Sequence, residues 1–515
     1  MSKALKNKAA DYHDRHPLQI LLLVALFNFV YYTAVNGQDP SDHLGCATVS
    51  SDSDWLSQHL QQVDHSRNVE DPIYLPIVFH TLGTDAGEGH YNLLKIFESM
   101  CRLNADFEPY DIQFYQVGDV NRVNRSRYYD HDNLGDADRM MDIYNKSQAI
   151  NVYITNSAPD NACGYWLPSP DGIVVIKNCM GATGHTLTHE IGHFLALRHP
   201  FHGWEGKTYD PSNAAPLFHS IFGKDTMFVE TVAGKNCDHA ADLICDTGPD
   251  YLSLNLWECD GSLQSLQKQI DPFGTDFKSD ATNYMSYSTD RCQRGFTPMQ
   301  VDVMQTYTRT QKSSLLNRTE VQPVVSTDPL SNMSPRLGEQ VLHQSIELSW
   351  DAHPNASRYL VQISRFNFFG VIDYEFVSGS NRINIGDLPV DKKYFWRVLP
   401  YNSFDHCGTF TTAEGGFETV IPTQIHNLIE GNQVSIFPTL ISGDDAEVFV
   451  EFAFDSDSEV RIRLIDLTGR IIQERDLSNP KFETLPFSLA QLPIGPYFLQ
   501  LDSNHGSITQ PLFKQ

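Results

Sequence analysis

At 515 residues the chain is too long for a single core, and a prior of roughly 150 residues per domain implies three or four units. Its 64 acidic residues outnumber 37 basic ones for a formal charge of -27, which disfavours a phosphate-collecting surface and supplies no basic stripe for nucleic acid.

In chain order, Lys3, Lys6, Lys8 and Arg15 precede the apolar run "LQILLLVALFNFVYYTAV", which ends at the small-residue site "VNG". Residues 1–37 therefore read as a secretory signal peptide with a long charged leader, the alternative being an uncleaved membrane anchor. Nothing later is apolar enough to span, so no transmembrane domain is expected after signal cleavage. Export places the nine cysteines in an oxidising compartment, where most should pair and the odd number leaves at least one thiol over.

Residues 38–71 are polar and read as a pro-segment. From Pro72, "PIYLPIVFHTL" predicts a buried strand, "YNLLKIFESMCRLNADF" an amphipathic helix, and "DIQFYQV", "AINVYITNS" and "GIVVIKN" further strands. This mixed α/β unit is expected over residues 72–318. From about Pro323 the pattern turns to short alternating strands, with Trp350 and Trp396 available to fill a core, which indicates a β-sandwich over 323–420. Trp350 followed by "ASRYLVQIS" and "YFWRV" resembles a fibronectin type III module.

A last β-rich segment, 433–515, carries the Phe437-Pro438 entry, Asp466, Gly469 and Arg470 as D-x-x-G-R, Leu492, Gly495 and Tyr497 as L-x-x-G-x-Y, and a lysine near the end. It resembles the C-terminal sorting domain of the type IX secretion system of Bacteroidota. "PTL" stands where that family usually has "PNP", and the chain ends in Gln515 instead of a basic residue. The resemblance implies the type IX machinery as a partner and a secreted or cell-surface destination; an ordinary second sandwich is the alternative.

The chemistry concentrates in "HEIGHFLALRH", His189 to His199. Residues four apart on a helix share a face, so His189 and His193 can present two imidazoles to one ion, with Glu190 at the adjacent edge. His199 follows His193 by six residues, which a continuing helix would carry to another face, so the helix must break after about Leu195 and turn back. Zinc held by three nitrogens keeps a position for water, lowers its pKa toward about 7 and polarises a carbonyl, while a neighbouring carboxylate moves the proton. Glu190 is the residue expected in that role. Any one of these histidines alone would more often be an ordinary polar side chain.

HExxH with a third histidine resembles the extended zinc motif of the metzincins, and "TNYMSYSTDRC" supplies their methionine turn at Met285 with Tyr287 two residues on. The phrasing of "GHTLTHEIGHFLALRHPFHG", "LICDTGPD", "NYMSYS", "FTPMQVDVM" and the upstream "LNADF" is similar to the pappalysin (cytophagalysin) family, over about residues 72–315.

The fold expected is thus an α/β (α+β) metzincin catalytic domain with a zinc-binding active-site helix and a methionine turn, followed by two β-sandwich domains. The activity implied is zinc endopeptidase on protein or peptide substrates.

The resemblance further implies that Tyr287 approaches the metal or the tetrahedral intermediate. It also implies that "DLICDTGPD" binds calcium through Asp242, Asp246 and Thr247, and that two disulfides form among Cys237, Cys245, Cys259 and Cys292 in one of three pairings. Met285 needs only to be an apolar floor. The family usually has Gly at position 196 to permit the turn; here it is Ala196, at a cost on the order of 1 kcal/mol if the backbone is left-handed there. A Cys163–Cys179 bridge is expected, and Cys407 is a candidate unpaired thiol.

Cys46, in "HLGCATVSS", matches the family's pro-segment "CGT" except for Ala47. It is read either as a thiolate that occupies the zinc and enforces latency, or as half of a disulfide with Cys101. From another functional class, the alternative is a surface adhesin with a purely structural zinc site, which would need neither Glu190 nor Tyr287.

Overall fold

The computed structural model describes residues 44–46, 48, 54–62 and 71–514, apart from 222–224, 317–319, 345, 411–414, 421–424, 430–431, 438–439, 442–445, 454–458, 479, 481–482 and 505. The leader expected over residues 1–37 lies outside them. No helix among the described residues is long and apolar enough to cross a membrane.

Long apolar runs form a seven-stranded sheet in the N-terminal unit. Its strands are β1 (Leu44–Cys46), β2 (Ile73–Gly83), β3 (Ile112–Gln116), β4 (Asn121–Asn124), β5 (Ile150–Thr155), β6 (Ala162–Leu167) and β7 (Gly172–Ile176), ordered β1-β6-β7-β5-β2-β3 with β4 also on β2. β7, β5, β2, β3 and β4 run parallel, β6 runs antiparallel to β7, and β1 lies parallel to β6. Strands β5, β6 and β7 are buried at every residue, as strands covered on both faces must be.

α1 (Asp54–Gln62) precedes β2, and four further helices of nine or more residues follow. α2 (Leu93–Phe107) buries Leu93, Ile96, Phe97, Met100, Leu103 and Phe107, a spacing of three and four, and is capped by Asn92. α3 (Leu134–Tyr144) packs Met140 and Met141 against Tyr153, Tyr165 and Val174 of the sheet. α4 (Thr186–Phe194) is buried from Leu187 to Phe194. α5 (Pro298–Thr310) closes the unit behind a capping box of Thr297 and Gln300.

The segment after His199 forms a hairpin, β8 (Phe218–Ile221) with β9 (Asp225–Phe228), and buries Trp204 in a cluster with Phe201, Tyr209, Val229, Tyr251 and Tyr287.

A short stretch far along the chain, Ser403–Cys407, also belongs to this unit. Phe404 stacks on Tyr115 at 4.9 Å and meets Tyr74 edge-on at 5.8 Å, His406 packs on Phe97 at 4.9 Å, and Cys407 is disulfide-bonded to Cys101. That bridge corrects two expectations at once: Cys101 does not pair with Cys46, and Cys407 is not the spare thiol. Cys163–Cys179, Cys237–Cys245 and Cys259–Cys292 account for the others, leaving Cys46 unbridged.

Every described regular element of the second unit is a strand. A five-stranded sheet, Glu339–Leu342, Gly415–Val420, Lys393–Tyr401, Arg358–Ser364 and Tyr374–Ser378, accompanies the pair Ile346–Ser349 and Arg382–Ile385. Trp350 and Trp396 are buried in the core there, as their spacing predicts. The last β region begins with Ile425–Ile429, which pairs with Asn432–Phe437, upstream of the boundary read from sequence. Its motif residues are structural: Asp466 accepts from Thr468 and Arg470 N–H groups in the turn where Gly469 has φ 85°. Lys514 Nζ donates to the carbonyls of Leu489, Ala490 and Leu492 at 2.7–2.8 Å.

Candidate metal centre

α4 carries His189 and His193 on one face, then ends in a turn that reverses the chain. Ala196 N–H donates to His193 O at 3.0 Å and Leu197 N–H to Gly192 O at 2.9 Å, the pair of bonds that closes a helix through a left-handed residue. Ala196 is that residue, at φ 75°, so the left-handed backbone expected at this position is present without glycine.

The turn delivers His199 to the other two. The Nε2 atoms lie 3.1 Å (His189–His193), 3.2 Å (His189–His199) and 3.0 Å (His193–His199) apart, and Cys46 Sγ joins them in a set whose ligand atoms all fall within 4.8 Å. Among the described residues these four could hold a metal ion. Burial drives His189 down to about 3, and burial with the neighbouring imidazoles depresses His193 and His199 as well, so all three rings are neutral near pH 7.

Each ring is fixed from behind. His189 Nδ1 lies 2.7 Å from Tyr284 O, the residue before Met285, and His193 Nδ1 lies 2.9 Å from Leu197 O. Met285 is fully buried under the helix, and a Cβ on Gly192 would run into its sulfur. Tyr284 OH donates to Asp106 Oδ1 at 3.0 Å, while Asp106 Oδ2 takes His185 at 2.7 Å and Thr188 at 2.6 Å. One buried carboxylate thereby joins α2, the start of α4 and the methionine turn.

Glu190 is wholly buried beside the histidines. Its Oε2 accepts from Cys46 Sγ at 3.3 Å and Thr48 Oγ1 at 3.1 Å, while Oε1 has no partner among the described residues. Burial raises its pKa to about 8, against those two hydrogen bonds. Tyr287 lies edge-on to His199 at 5.1 Å; its hydroxyl accepts from Cys46 N–H at 2.9 Å and donates to Cys46 O at 2.5 Å. A cavity of about 730 Å³ opens here, lined by Cys46, His185, His189, Glu190, Tyr287 and Arg291 among others.

Of the calcium candidates, Asp242 and Thr247 come together, Thr247 Oγ1 lying 3.0–3.1 Å from both Asp242 oxygens. Asp246 caps α5, taking Thr297 Oγ1 at 2.6 Å and Met299 N–H at 2.8 Å. Three participants were not picked out from sequence. Asp106 lies within "LNADF" and Thr48 two residues after Cys46; Glu205, near His199 and His202, follows no spacing rule.

Residues 446–515 match the Secretion system C-terminal sorting domain, so the chain carries an export address for the cell exterior or surface. The chain is 24% identical over 258 residues to an extracellular metalloprotease of Colletotrichum graminicola, covering 46% of this chain and 77% of that protein. It is 27% identical over 251 residues to one of Verticillium alfalfae, covering 45% and 75%. Among solved structures, the chicken CNTN1 FN1-FN3 domains align at 17% identity over 39% of this chain and 70% of theirs, with a TM-score of 0.19. Its similarity to extracellular metalloproteases and its sorting domain together define a class: an exported protein related to metal-dependent proteases.

Proposed function

We propose that this chain is a zinc endopeptidase of the pappalysin-like metzincin type, exported by the type IX machinery and held latent by its own pro-segment. The observation that carries the reading is the convergence of three neutral Nε2 atoms beside a buried carboxylate in an open cavity. Tetrahedral zinc with Zn–N bonds of about 2.0–2.1 Å needs its nitrogens roughly 3.3 Å apart. The observed 3.0–3.2 Å fits that requirement.

His189, His193 and His199 would hold the ion, which when bound activates water and polarises the scissile carbonyl. Glu190, wholly buried beside the three imidazoles, takes a proton from the attacking water and returns it to the leaving amine. Tyr287, beside His199, hydrogen-bonds the developing oxyanion. An adhesin with a structural zinc would have no use for a buried, half-satisfied carboxylate at this position.

Latency follows from the same neighbourhood. Strand β1 adds to the edge of β6, pairing Cys46 with Gly164, and sets the Cys46 thiol among the three imidazoles. Thr48 meanwhile engages Glu190, and both backbone groups of Cys46 engage Tyr287. Calcium, if bound, would rest on Asp242 and Thr247, whose side chains converge, whereas Asp246 caps α5.

The test is peptide hydrolysis by the full-length chain, by the chain trimmed before Pro72, and by Cys46→Ala. The trimmed form should be active and chelator-sensitive, the full-length form nearly inactive, and Cys46→Ala active without trimming. A trimmed form with full zinc and no hydrolysis would refute the enzyme, and full activity of the intact wild type would refute latency.

A further inference from the structure

The three imidazoles differ on their far sides. His189 and His193 sit on the rigid helix α4 and need only a backbone carbonyl behind Nδ1, at 2.7 and 2.9 Å. His199 follows the turn and belongs to an irregular loop, where no helix fixes the ring. Behind it stands a carboxylate: Glu205 Oε1 lies 3.5 Å from His199 Nδ1. The same oxygen meets His202 Nδ1 at 3.0 Å, and Oε2 accepts Gly203 N–H at 2.7 Å. Phe201 stacks on the His199 ring at 4.5 Å. The loop thus folds back on the histidine it follows.

We propose that Glu205 is the positioning residue for His199. Its carboxylate keeps the ring proton on Nδ1, leaves the Nε2 lone pair for the metal, and adds negative charge that strengthens that nitrogen as a ligand. Outer carboxylates of this kind typically carry 10–100-fold in metal affinity. The inference rests on the metalloprotease reading. The bland competitor is that Glu205 merely folds its own loop through Gly203 and His202. Glu205→Gln separates the two, because its carbonyl oxygen can still accept from Gly203 N–H while the charge is gone.

The experiment uses the full chain as wild type, Glu205→Gln and Glu205→Ala. It reads zinc affinity by competition with a fluorescent chelator, the visible spectrum of the cobalt-loaded protein, and the unfolding temperature of the metal-free protein. Expected are a loss of about 10–100-fold in zinc affinity for Ala and a smaller clear loss for Gln. The cobalt spectrum should change, and Glu205→Gln should unfold at the wild-type temperature when metal-free. Zinc affinity of Glu205→Gln within about twofold of wild type, or a loss accompanied by a lowered metal-free unfolding temperature, would overturn the proposal. Failure of the wild type itself to bind zinc and cobalt would overturn the metalloprotease reading together with it, whereas normal binding by both wild type and Glu205→Gln overturns this proposal alone.

Discussion

Replacing Cys101 and Cys407 together by serine removes a bridge that spans 306 residues of sequence. Closing a loop of that length in the unfolded chain is worth about 6 kcal/mol on the chain-entropy estimate, and the three shorter bridges inside it change the logarithm little. For a unit of this size, 1 kcal/mol corresponds to about 2–4 °C, so the double serine variant should unfold about 12–24 °C below wild type. Phe404 and His406 would remain docked on Tyr74, Tyr115 and Phe97, which keeps the native fold reachable. Thermal unfolding of both proteins without reductant checks this, because reductant would also open the three bridges that the variant retains. A drop of less than about 2 °C would refute the assignment of Ser403–Cys407 as an integral part of the N-terminal unit.

Two further outcomes follow from buried contacts. A Cβ at Gly164 would lie 2.9 Å from both Glu190 Oε1 and Val174 O, so Gly164→Ala should displace the carboxylate and cost about 100-fold in kcat of the trimmed enzyme with zinc content unchanged. Equal rates would mean that Glu190 tolerates the displacement. Burial raises the pKa of Asp106, but hydrogen bonds from His185 and Thr188 and the charges of His185 and Arg102 outweigh it and hold the group below its usual range. A depressed carboxylate contributes stability above its unfolded pKa of about 3.9 and loses it as pH falls through the lower folded value. Asp106→Asn should therefore cost about 3 kcal/mol at pH 7, with the deficit shrinking only below about pH 4 in denaturant titrations; a deficit independent of pH would contradict the assignment.

Local chemistry was the legible part of this chain. The spacing of His189, His193 and His199 demanded a helix and a reversal, and Trp350 and Trp396 announced a core, because each signal depends on neighbours within a few residues. The partner of Cys101 was not legible: pairing over 306 residues depends on which surfaces meet. Nor was the edge strand β1, since three residues carry too little periodicity to be seen. Glu205 acts through a loop that no period describes, and Asp246, which reads as a calcium ligand beside Asp242, turns out to cap a helix 51 residues away.

The most direct test of the central claim is the hydrolysis rate of Glu190→Ala at full zinc occupancy, in protein trimmed before Pro72. If the carboxylate moves the proton while the three histidines hold the metal, this variant keeps one zinc per chain and loses at least about 100-fold in kcat. Zinc-replete Glu190→Ala that retains more than a few per cent of wild-type activity would contradict it.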